Sequence, residues 1–571
     1  MNRKILFVIT TMLLIATVYP VVGVPNLERS FEEQHNLNEV NNNGQTGSDD
    51  WWPMFRHDAG NTGSTSSIAP NTNQLSWKEM ISEEIFSASP VIVDDRLYIS
   101  TGWYYGMLEP PNMTGRLQFE KPSVSEILNE LTTYKDEYFG GVYCLDADKG
   151  TQLWDYPMYA PNDPAIVDNK VYVTDLDLYT YDSSLYCINA ETGDNIWDKP
   201  VGDLVLSPTI IADDKIFLSC LDIYSYYGSL RCFDLDGNIV WNYPLPPNEI
   251  VWFSAPAYYD GKVYFITSDL YSYYQGKLYC LNADDGEYIW SKPISSFIFY
   301  FGSPSPVCDE GKVFAVDFNI YSYFGYLKCF DAEDGALLWQ YPLGFSLTFG
   351  APAVSQGSAF VTSFDLYSYS SWLYRIYTEN GTLVWKVPVP GFTYWFTSSS
   401  PVCSANKVFV CPSEFYWYSN ALYAMEIEDG SVIWNYDLDY ETLASASIAD
   451  ERVYIADYMG NIYAFEDELK IGEISGGFLS VKGKVTNIGD SDFTNVSWAI
   501  AVYGGMFERI DRYMEGTISL LQAGESKTVR CFPIFGIGDV EIEVAVGMPG
   551  LTTIRKRTEG FVLGPFVFVK S

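Results

Sequence analysis

The chain has 571 residues, of which 17% are aromatic and 19% charged, and its formal net charge at pH 7 is −39. That length exceeds one ordinary domain, and the aromatic content suits a large β core. Nucleic acid binding requires a cationic surface, so this composition excludes a nucleic acid partner. The same charge disfavours adsorption to anionic lipid.

The N-terminus has the features of an export signal. Residues 2–4 (Asn-Arg-Lys) precede an apolar stretch from Ile5 to Val24, which predicts an extracytoplasmic protein, secreted or associated with the cell surface. No lipid-attachment Cys or small-x-small cleavage site follows, and about 20 apolar residues can span a bilayer. Residues 1–24 are therefore either a signal peptide or an N-terminal anchor, the one predicted membrane contact. Residues 25–50 are predicted to be a disordered spacer.

Tryptophan recurs through the middle of the chain at steps of 43, 44, 49, 49, 46 and 49 residues. The seven positions are Trp154, Trp197, Trp241, Trp290, Trp339, Trp385 and Trp434. Each ends a unit of four short β-rich runs, joined by tight turns such as Asp260-Gly261. A period in the forties with four strands per period is the signature of β-propeller blades.

The last unit is incomplete. Seven full units end at Trp154 through Trp434, and an eighth begins at Ala446 but lacks its fourth strand and Trp. The segment Gln74–Trp77 precedes the first unit and can supply that strand. We therefore predict an all-β, eight-bladed propeller over residues 51–469, closed by the strand around Trp77, which leaves no open edge. Seven blades with a stray strand is the alternative.

The units resemble the repeats of pyrroloquinoline-quinone (PQQ)-like eight-bladed propellers. The lead-in Trp52-Pro53-Met54-Phe55-Arg56-His57-Asp58, followed by Asn61-Thr62-Gly63, resembles the segment that often precedes such repeats. This resemblance covers residues 51–469. It implies either a quinone-dependent alcohol or sugar dehydrogenase, or a cofactor-free scaffold such as the propeller lipoprotein of the outer-membrane β-barrel assembly machine. Fold alone does not choose between them.

A different β pattern begins at about Leu469. Alternating runs such as Phe478–Gly489 and Val540–Val546, without helix signals, predict a small β-sandwich over residues 470–571. The stretch Val485-Thr486-Asn487-Ile488-Gly489 and the later Ala523-Gly524-Glu525-Ser526 resemble immunoglobulin-like adhesion-type modules of prokaryotic surface proteins.

Few residues suit catalysis. The two histidines, His35 and His57, precede the repeats, so no His-based triad or His-rich zinc site can form inside the ring. Five of the ten cysteines repeat at one place in the third strand, which predicts buried thiols, with a disulfide among the other five as the alternative. They are Cys144, Cys187, Cys232, Cys280 and Cys329. We predict no catalytic residues, no metal and no cofactor.

Tyrosines are concentrated in the loop between the second and third strands of six units. Each of these loops carries an acidic or amide residue, an apolar residue and then Tyr-x-Tyr. The pairs are Tyr179 and Tyr181, Tyr224 and Tyr226, Tyr271 and Tyr273, Tyr321 and Tyr323, Tyr367 and Tyr369, and Tyr416 and Tyr418. If the segment is extended, the polar residue and both tyrosines lie on one side.

Propeller geometry places these six loops on one face of the disc, together with the aromatic connections between blades. We call this surface the tyrosine face. It is either a self-packing collar or a recognition platform, since Tyr supplies rigid amphipathic contact area. The leading hypothesis is an exported non-enzymatic scaffold that binds a protein or glycan partner there. The alternatives are a PQQ- or metal-dependent oxidoreductase and a purely structural cell-envelope protein.

Overall fold

The computed structural model describes residues 50–570 with internal gaps. The gaps are 82–88, 103–139, 178–179, 206, 223, 226, 252–253, 270–275, 296–304, 320–321, 349, 391–399, 413–419, 443, 490–491, 507–508 and 549–552. The predicted signal segment, and the predicted spacer up to residue 49, lie outside the described residues. Within the described ranges the chain is all-β, and no helix there is long and apolar enough to span a membrane. Residues from Gly47 to Ser571 belong to one compact unit.

Antiparallel hairpins build the first part of this unit. In chain order the strands are β1 (Leu75–Met80), β2 (Val91–Val93), β3 (Arg96–Thr101), β4 (Gly140–Asp146), β5 (Gln152–Met158), β6 (Ala165–Val167), β7 (Lys170–Leu176), β8 (Ser183–Asn189), β9 (Asn195–Pro200), β10 (Leu204–Val205), β11 (Ile210–Ala212), β12 (Lys215–Asp222), β13 (Tyr227–Asp234), β14 (Ile239–Pro244), β15 (Glu249–Ile250), β16 (Ala257–Tyr259), β17 (Lys262–Asp269), β18 (Gly276–Asn282) and β19 (Tyr288–Ile294).

The same pattern continues to the end of the repeats. The strands are β20 (Val307–Asp309), β21 (Lys312–Asn319), β22 (Phe324–Asp331), β23 (Leu337–Leu347), β24 (Ala353–Ser355), β25 (Ser358–Asp365), β26 (Ser370–Tyr377), β27 (Leu383–Val389), β28 (Val402–Cys403), β29 (Lys407–Val410), β30 (Ala421–Glu426), β31 (Val432–Asp437), β32 (Ser447–Ala449), β33 (Arg452–Ala456) and β34 (Asn461–Phe465).

These strands form the sheets of a β-propeller. β2–β5, β6–β9 and β28–β31 are four-stranded sheets in sequence order. Two others, β10-β12-β13-β14 and β15-β17-β18-β19, each carry an extra short strand, and an eight-stranded sheet joins β20–β23 to β24–β27. The remaining sheet has the order β1-β34-β33-β32, so the strand around Trp77 does pair with the last hairpin, antiparallel.

Tryptophans at the outer strands join neighbouring sheets. The indole N–H of Trp241 donates to the Ala283 carbonyl of the next sheet at 3.0 Å. Six further tryptophans make the same bond at 2.8–3.2 Å: Trp77, Trp154, Trp290, Trp339, Trp385 and Trp434. Trp77 donates to Ala147 of the first sheet and Trp434 to Pro70, so both ends of the repeat array take part.

The turn that receives each indole needs a glycine. Gly286 has φ of +73°, and a Cβ added there would lie 2.7 Å from the Trp241 ring. Gly261, in the other type of turn of the same sheet, has the same φ of +73° but nothing within 4 Å. Comparing substitutions at the two glycines therefore distinguishes the cost of a left-handed backbone from the cost of displacing the indole ring.

We predict that Gly286→Ala destabilises the chain more than Gly261→Ala. Both variants place alanine in a left-handed conformation, at about 1 kcal/mol. Only Gly286→Ala also displaces the Trp241 ring, at a further cost of about 1–3 kcal/mol. Chemical denaturation of both variants measures the difference, and equal losses would mean that the indole contact contributes nothing.

The lead-in lies inside the propeller. Short strands that open a repeat, such as β2, β16 and β24, pair on one side only within their sheets, and in a propeller this side lines the central channel. Residues 52–67, here called the channel segment, pair with these edges. Six channel-facing N–H groups, from Ile92, Ile166, Tyr258, Cys308, Val354 and Cys403, donate to its carbonyls at 2.6–2.9 Å. The segment therefore satisfies backbone groups that would otherwise be exposed.

Two polar side chains anchor the channel segment. Arg56 is 1% exposed, and its guanidinium donates to the carbonyls of Asn61, Pro352 and Pro401. Asn61 is fully buried and its amide donates to the carbonyls of Pro256 and Pro306. These carbonyls belong to the repeated Pro of four units, so two side chains tie four repeats to one segment.

We predict that a chain starting at Pro70 melts far below a chain starting at Gly47. The shorter chain keeps β1 but loses the acceptors of six channel-facing N–H groups, each contributing about 0.5–1.5 kcal/mol. Thermal unfolding of the two chains gives the comparison. Equal melting temperatures would show that the channel segment adds no stability.

His57 contacts Asp50, which lies just before the channel segment, and Asp58 within it. Its ring nitrogens lie 3.0 Å from an Asp50 oxygen and 3.4 Å from an Asp58 oxygen. Burial alone would lower the pKa of His57, but the hydrogen bonds and charges of Asp50 and Asp58 outweigh it and raise the pKa to about 9. The folded state therefore holds this proton more tightly than the unfolded chain.

We predict that His57 stabilises the fold in a pH-dependent way. A raised folded-state pKa gives stability that is fully present below about pH 6.5 and is lost as the pH rises through about 9. The gap in unfolding free energy between the natural chain and His57→Gln should shrink across that window. Denaturant titrations at several pH values measure it, and a gap that does not change with pH would rule out the linkage.

The tail, residues 470–571, forms two further sheets. Its strands, with the boundary strand β35, are β35 (Leu469–Gly477), β36 (Ser480–Asn487), β37 (Phe493–Gly504), β38 (Ile510–Leu521), β39 (Ser526–Cys531), β40 (Gly536–Gly547), β41 (Ile554–Gly564) and β42 (Phe566–Val569). The sheet orders are β35-β36-β39 and β38-β37-β40-β41-β42. Their inner residues share one apolar cluster that includes Val485, Ile500, Ile542 and Val544.

Candidate functional site

The structure describes five of the twelve predicted site tyrosines. They are Tyr181, Tyr224, Tyr323, Tyr367 and Tyr369. The other seven lie outside the described residues: Tyr179, Tyr226, Tyr271, Tyr273, Tyr321, Tyr416 and Tyr418. The geometry of the tyrosine face therefore rests on four loops, in the second, third, fifth and sixth repeats.

The polar residue at the head of each described loop caps the loop's own backbone. The Asp222 carboxylate accepts from the N–H groups of Tyr224 at 2.9 Å and Ser225 at 3.2 Å. Asp365 accepts in the same way from Tyr367 and Ser368, both at 2.8 Å. Asp and Asn favour such turns because they bond to the backbone two residues on. The segment is not extended here, since the chain turns, so the condition under which the polar residue and both tyrosines lie on one side is not met.

The last tyrosine of three loops has an unusual backbone. Tyr181, Tyr323 and Tyr369 have φ of 60°, 55° and 50°. This left-handed region costs an L-residue about 1 kcal/mol or more, and Gly or Asn would occupy it more cheaply. Three equivalent positions nevertheless hold tyrosine. The side chain, rather than the backbone, therefore accounts for the residue at this position.

The described tyrosines combine contacts to neighbouring repeats with exposure. Tyr224 is 77% exposed and its hydroxyl lies 3.4 Å from the Thr180 carbonyl of the preceding loop. The Phe345 ring lies 4.5 Å from Tyr367 and 5.5 Å from Tyr323, yet Tyr367 is 80% exposed and Tyr369 53%. The contacts thus leave most of the surface of Tyr224, Tyr367 and Tyr369 open, whereas Tyr181 and Tyr323 are half-buried.

Two charged pairs, each within one sheet, line a cleft where the fourth and fifth repeats meet. Lys277 pairs with Glu249, and the Tyr279 hydroxyl donates to Glu249 at 2.6 Å. Burial, reinforced by this carboxylate, raises the pKa of Tyr279 well above its ordinary value, so the phenol stays a donor. Lys328 pairs directly with Asp317, and this pair and the Lys277–Glu249 pair line a cleft of about 400 Å³. Sequence reasoning missed this cleft, because its residues do not share one repeat position.

The described residues do not fit a metal-bound quinone. The channel segment already takes the channel-facing N–H groups of six repeats. No group of three or more His, Cys, Asp and Glu side chains within the described ranges could hold a metal ion. All ten cysteines are buried and none is in a disulfide, which confirms the predicted buried thiols. Burial raises the pKa of Cys280 to about 12. The thiols therefore stay protonated.

The family model described as outer membrane protein assembly factor BamB matches residues 138–320, 299–387 and 369–471. These matches together span more than half of the chain. The chain belongs to this family. The PQQ-like propeller implied by the resemblance of the repeats is confirmed at that level. Among curated proteins, none matches the chain.

Solved propellers resemble this fold at low sequence identity. Quinohemoprotein alcohol dehydrogenase from Comamonas testosteroni has a TM-score of 0.51 at 13% identity, covering 74% of this chain and 82% of its own. The enzyme ADHIIG from Pseudomonas putida HK5 has a TM-score of 0.50 at 12% identity, covering 75% and 83%. BamB from Moraxella catarrhalis has a TM-score of 0.47 at 13% identity, covering 69% and 99%. At these identities the likeness supports the fold alone.

Proposed function

We propose that this protein is an exported, non-enzymatic propeller scaffold that binds a protein or glycan partner through its tyrosine face. The observation that carries the proposal is the repeated left-handed tyrosine, as at Tyr369, beside an exposed tyrosine such as Tyr367. A collar alone would favour burial of these rings, whereas Tyr224 and Tyr367 are 77% and 80% exposed.

The chemistry of this surface suits recognition. The loops are preorganised by their Asp caps, so exposed rings are held in place before a partner arrives, which reduces the entropy lost on binding. Tyrosine is enriched at binding hot spots because it combines apolar area with a hydroxyl. The proposed face also includes the seven predicted tyrosines outside the described residues, because they occupy the equivalent positions in the repeat. They would extend the face around the disc.

The finer architecture is part of the proposal. Eight blades are supported by the β1–β34 pairing, by the Trp77 bond to Ala147 and by the repeated four-strand groups. The proposed domains are a signal peptide or anchor (1–24), a spacer (25–50), the propeller (51–469) and an immunoglobulin-like β-sandwich (470–571). Two facing sheets around one apolar cluster support the sandwich.

The proposed location is extracytoplasmic, secreted or at the cell surface. Support comes from the apolar stretch Ile5–Val24 and from the family description, which names an outer membrane assembly factor. That description also favours a protein partner over a glycan.

We predict that Tyr367→Ala/Tyr369→Ala loses its partner while keeping its fold. Truncated hot-spot aromatics cost about 2 kcal/mol or more of binding, which is a loss of roughly thirtyfold. Tyr377→Ala is the matched control, because Tyr377 ends the strand that begins after Tyr369 and is 43% exposed at its opposite end. Immobilised variants are compared for capture from an envelope extract and for binding to a glycan array.

The two assays assign the partner class. Capture lost only from the extract identifies a protein, and signal lost only from the array identifies a glycan. If the double variant instead melts far lower and its capture per folded molecule equals that of Tyr377→Ala, the tyrosine face is a structural collar. Dye reduction on addition of PQQ and calcium would favour the oxidoreductase alternative.

A further inference from the structure

One end of the tail exposes a cluster of phenylalanines. Phe478, Phe532, Phe535 and Phe566 are 62%, 52%, 68% and 51% exposed, and we call these four residues the apolar tip. Phe478 lies in the β35–β36 connection, Phe532 and Phe535 in the β39–β40 connection, and Phe566 begins β42 directly after the β41–β42 connection. Large apolar side chains that are exposed together mark an interaction surface.

Backbone contacts hold the three connections together. The Leu479 N–H donates to the Pro565 carbonyl at 2.6 Å, and the Ile534 N–H donates to the Leu479 carbonyl at 2.9 Å. The rings of Phe478 and Phe566 meet edge to face at 5.8 Å. The apolar tip is therefore a built feature of the fold.

The apolar surface continues onto the neighbouring sheet. Leu563 lies between Ile537 on one neighbouring strand and Phe566 on the other. The side chains of Ile537 and Leu563 are each 51% exposed. Phe568 is 55% exposed and lies opposite Phe561. A solvent-facing sheet surface normally carries polar residues at such positions, so this surface is adapted to an apolar environment.

A basic strip adjoins the apolar tip. Lys482 lies directly opposite Arg530, and Lys484 follows on the same outward face of the three-stranded sheet. The Arg530 guanidinium lies 5.3 Å from the Phe532 ring. Ion pairs of the tail within the described ranges involve none of these three cations. Like charges placed opposite each other in a sheet are destabilising, so the strip calls for an anionic partner.

Charge is segregated along the chain. Residues 470–571 contain eleven Lys and Arg and eleven Asp and Glu, so the whole formal charge of −39 belongs to residues 1–469. The tail is thus the part of the chain that can approach an anionic surface without general repulsion. Whole-chain charge argues against anionic lipid, but it does not describe this end of the molecule.

We propose that the tail docks on the surface of an anionic lipid bilayer. The apolar tip enters the boundary between headgroups and acyl chains, and Lys482, Lys484 and Arg530 contact anionic headgroups. Apolar area combined with local cations is the physical basis of interfacial membrane binding. This site is separate from the tyrosine face and does not depend on its function.

The test is vesicle flotation of the chain from Gly47 to Ser571. That chain contains every described strand and excludes the apolar stretch Ile5–Val24, which would itself partition into vesicles. Vesicles contain phosphatidylcholine alone or phosphatidylcholine with phosphatidylglycerol. We expect binding to the anionic vesicles, reduced about tenfold or more by Phe478→Ser/Phe566→Ser. Tyr513→Ser is the matched control, because Tyr513 is 63% exposed on the opposite edge strand β38.

A second pair of variants tests the charge. Lys482→Glu should weaken binding to the anionic vesicles about tenfold, whereas Lys149→Glu, the same change on an exposed propeller turn, should not. The difference should shrink between about 0.1 M and about 1 M salt, because the Debye length falls from about 10 Å to about 3 Å.

Three results would overturn the proposal. The first is that the unsubstituted chain from Gly47 to Ser571 does not float with anionic vesicles. The second is equal flotation of Phe478→Ser/Phe566→Ser and Tyr513→Ser. The third is a dimer in light scattering that the double variant dissolves, without vesicle binding by either, which would make the tip a contact between two copies. Circular dichroism and melting of each variant exclude unfolding as the cause.

Discussion

The hydrogen bond from the outer-strand tryptophan to the next repeat, made by seven tryptophans, is the interaction on which the propeller depends. A single repeat cannot bury its apolar faces alone, so repeats must bury them against neighbours. The indole fixes the spacing, because its N–H reaches one carbonyl and its ring fills the space above a glycine, as Trp241 does with Ala283 and Gly286. Trp77 and Trp434 extend the series to the N-terminal segment.

The two ends of the third strand in each repeat are therefore under different constraints. One end carries the turn that receives an indole, so its sequence is restricted to residues such as Gly286. The other end follows the tyrosine loop, whose Asp cap supplies the turn from within the loop itself. The indole bonds that hold neighbouring repeats together lie at the opposite end of the strand, so they place no restriction on the exposure of the tyrosines. The proposed recognition role would use this surface, which lies apart from the indole contacts.

Periodicity predicted the strands, the pairing of β1 with the last hairpin and the buried cysteines, because those features repeat. The channel segment has no period, and its bonds join backbone groups far apart in the sequence, as between Gly60 and Cys308. The residue types of the segment do not indicate such partners. The burial of Arg56 and Asn61 nevertheless explains why the segment contains these two polar residues. The turned tyrosine loops were predictable in principle, since Asp followed by Tyr-Ser suits an Asp-capped turn.

The tail shows why an average can mislead. A net charge of −39 describes the propeller and its N-terminal extension, whereas residues 470–571 are balanced. Within that balance the ion pairs place acids next to Arg557 and Lys570 but leave Lys482 facing Arg530. Interactions with a surface fall off within about 10 Å at ordinary salt, so the local arrangement decides what this end of the molecule contacts. Exposed phenylalanines beside these cations suit the proposed interface with an anionic bilayer, where the rings leave water and the cations meet anionic headgroups.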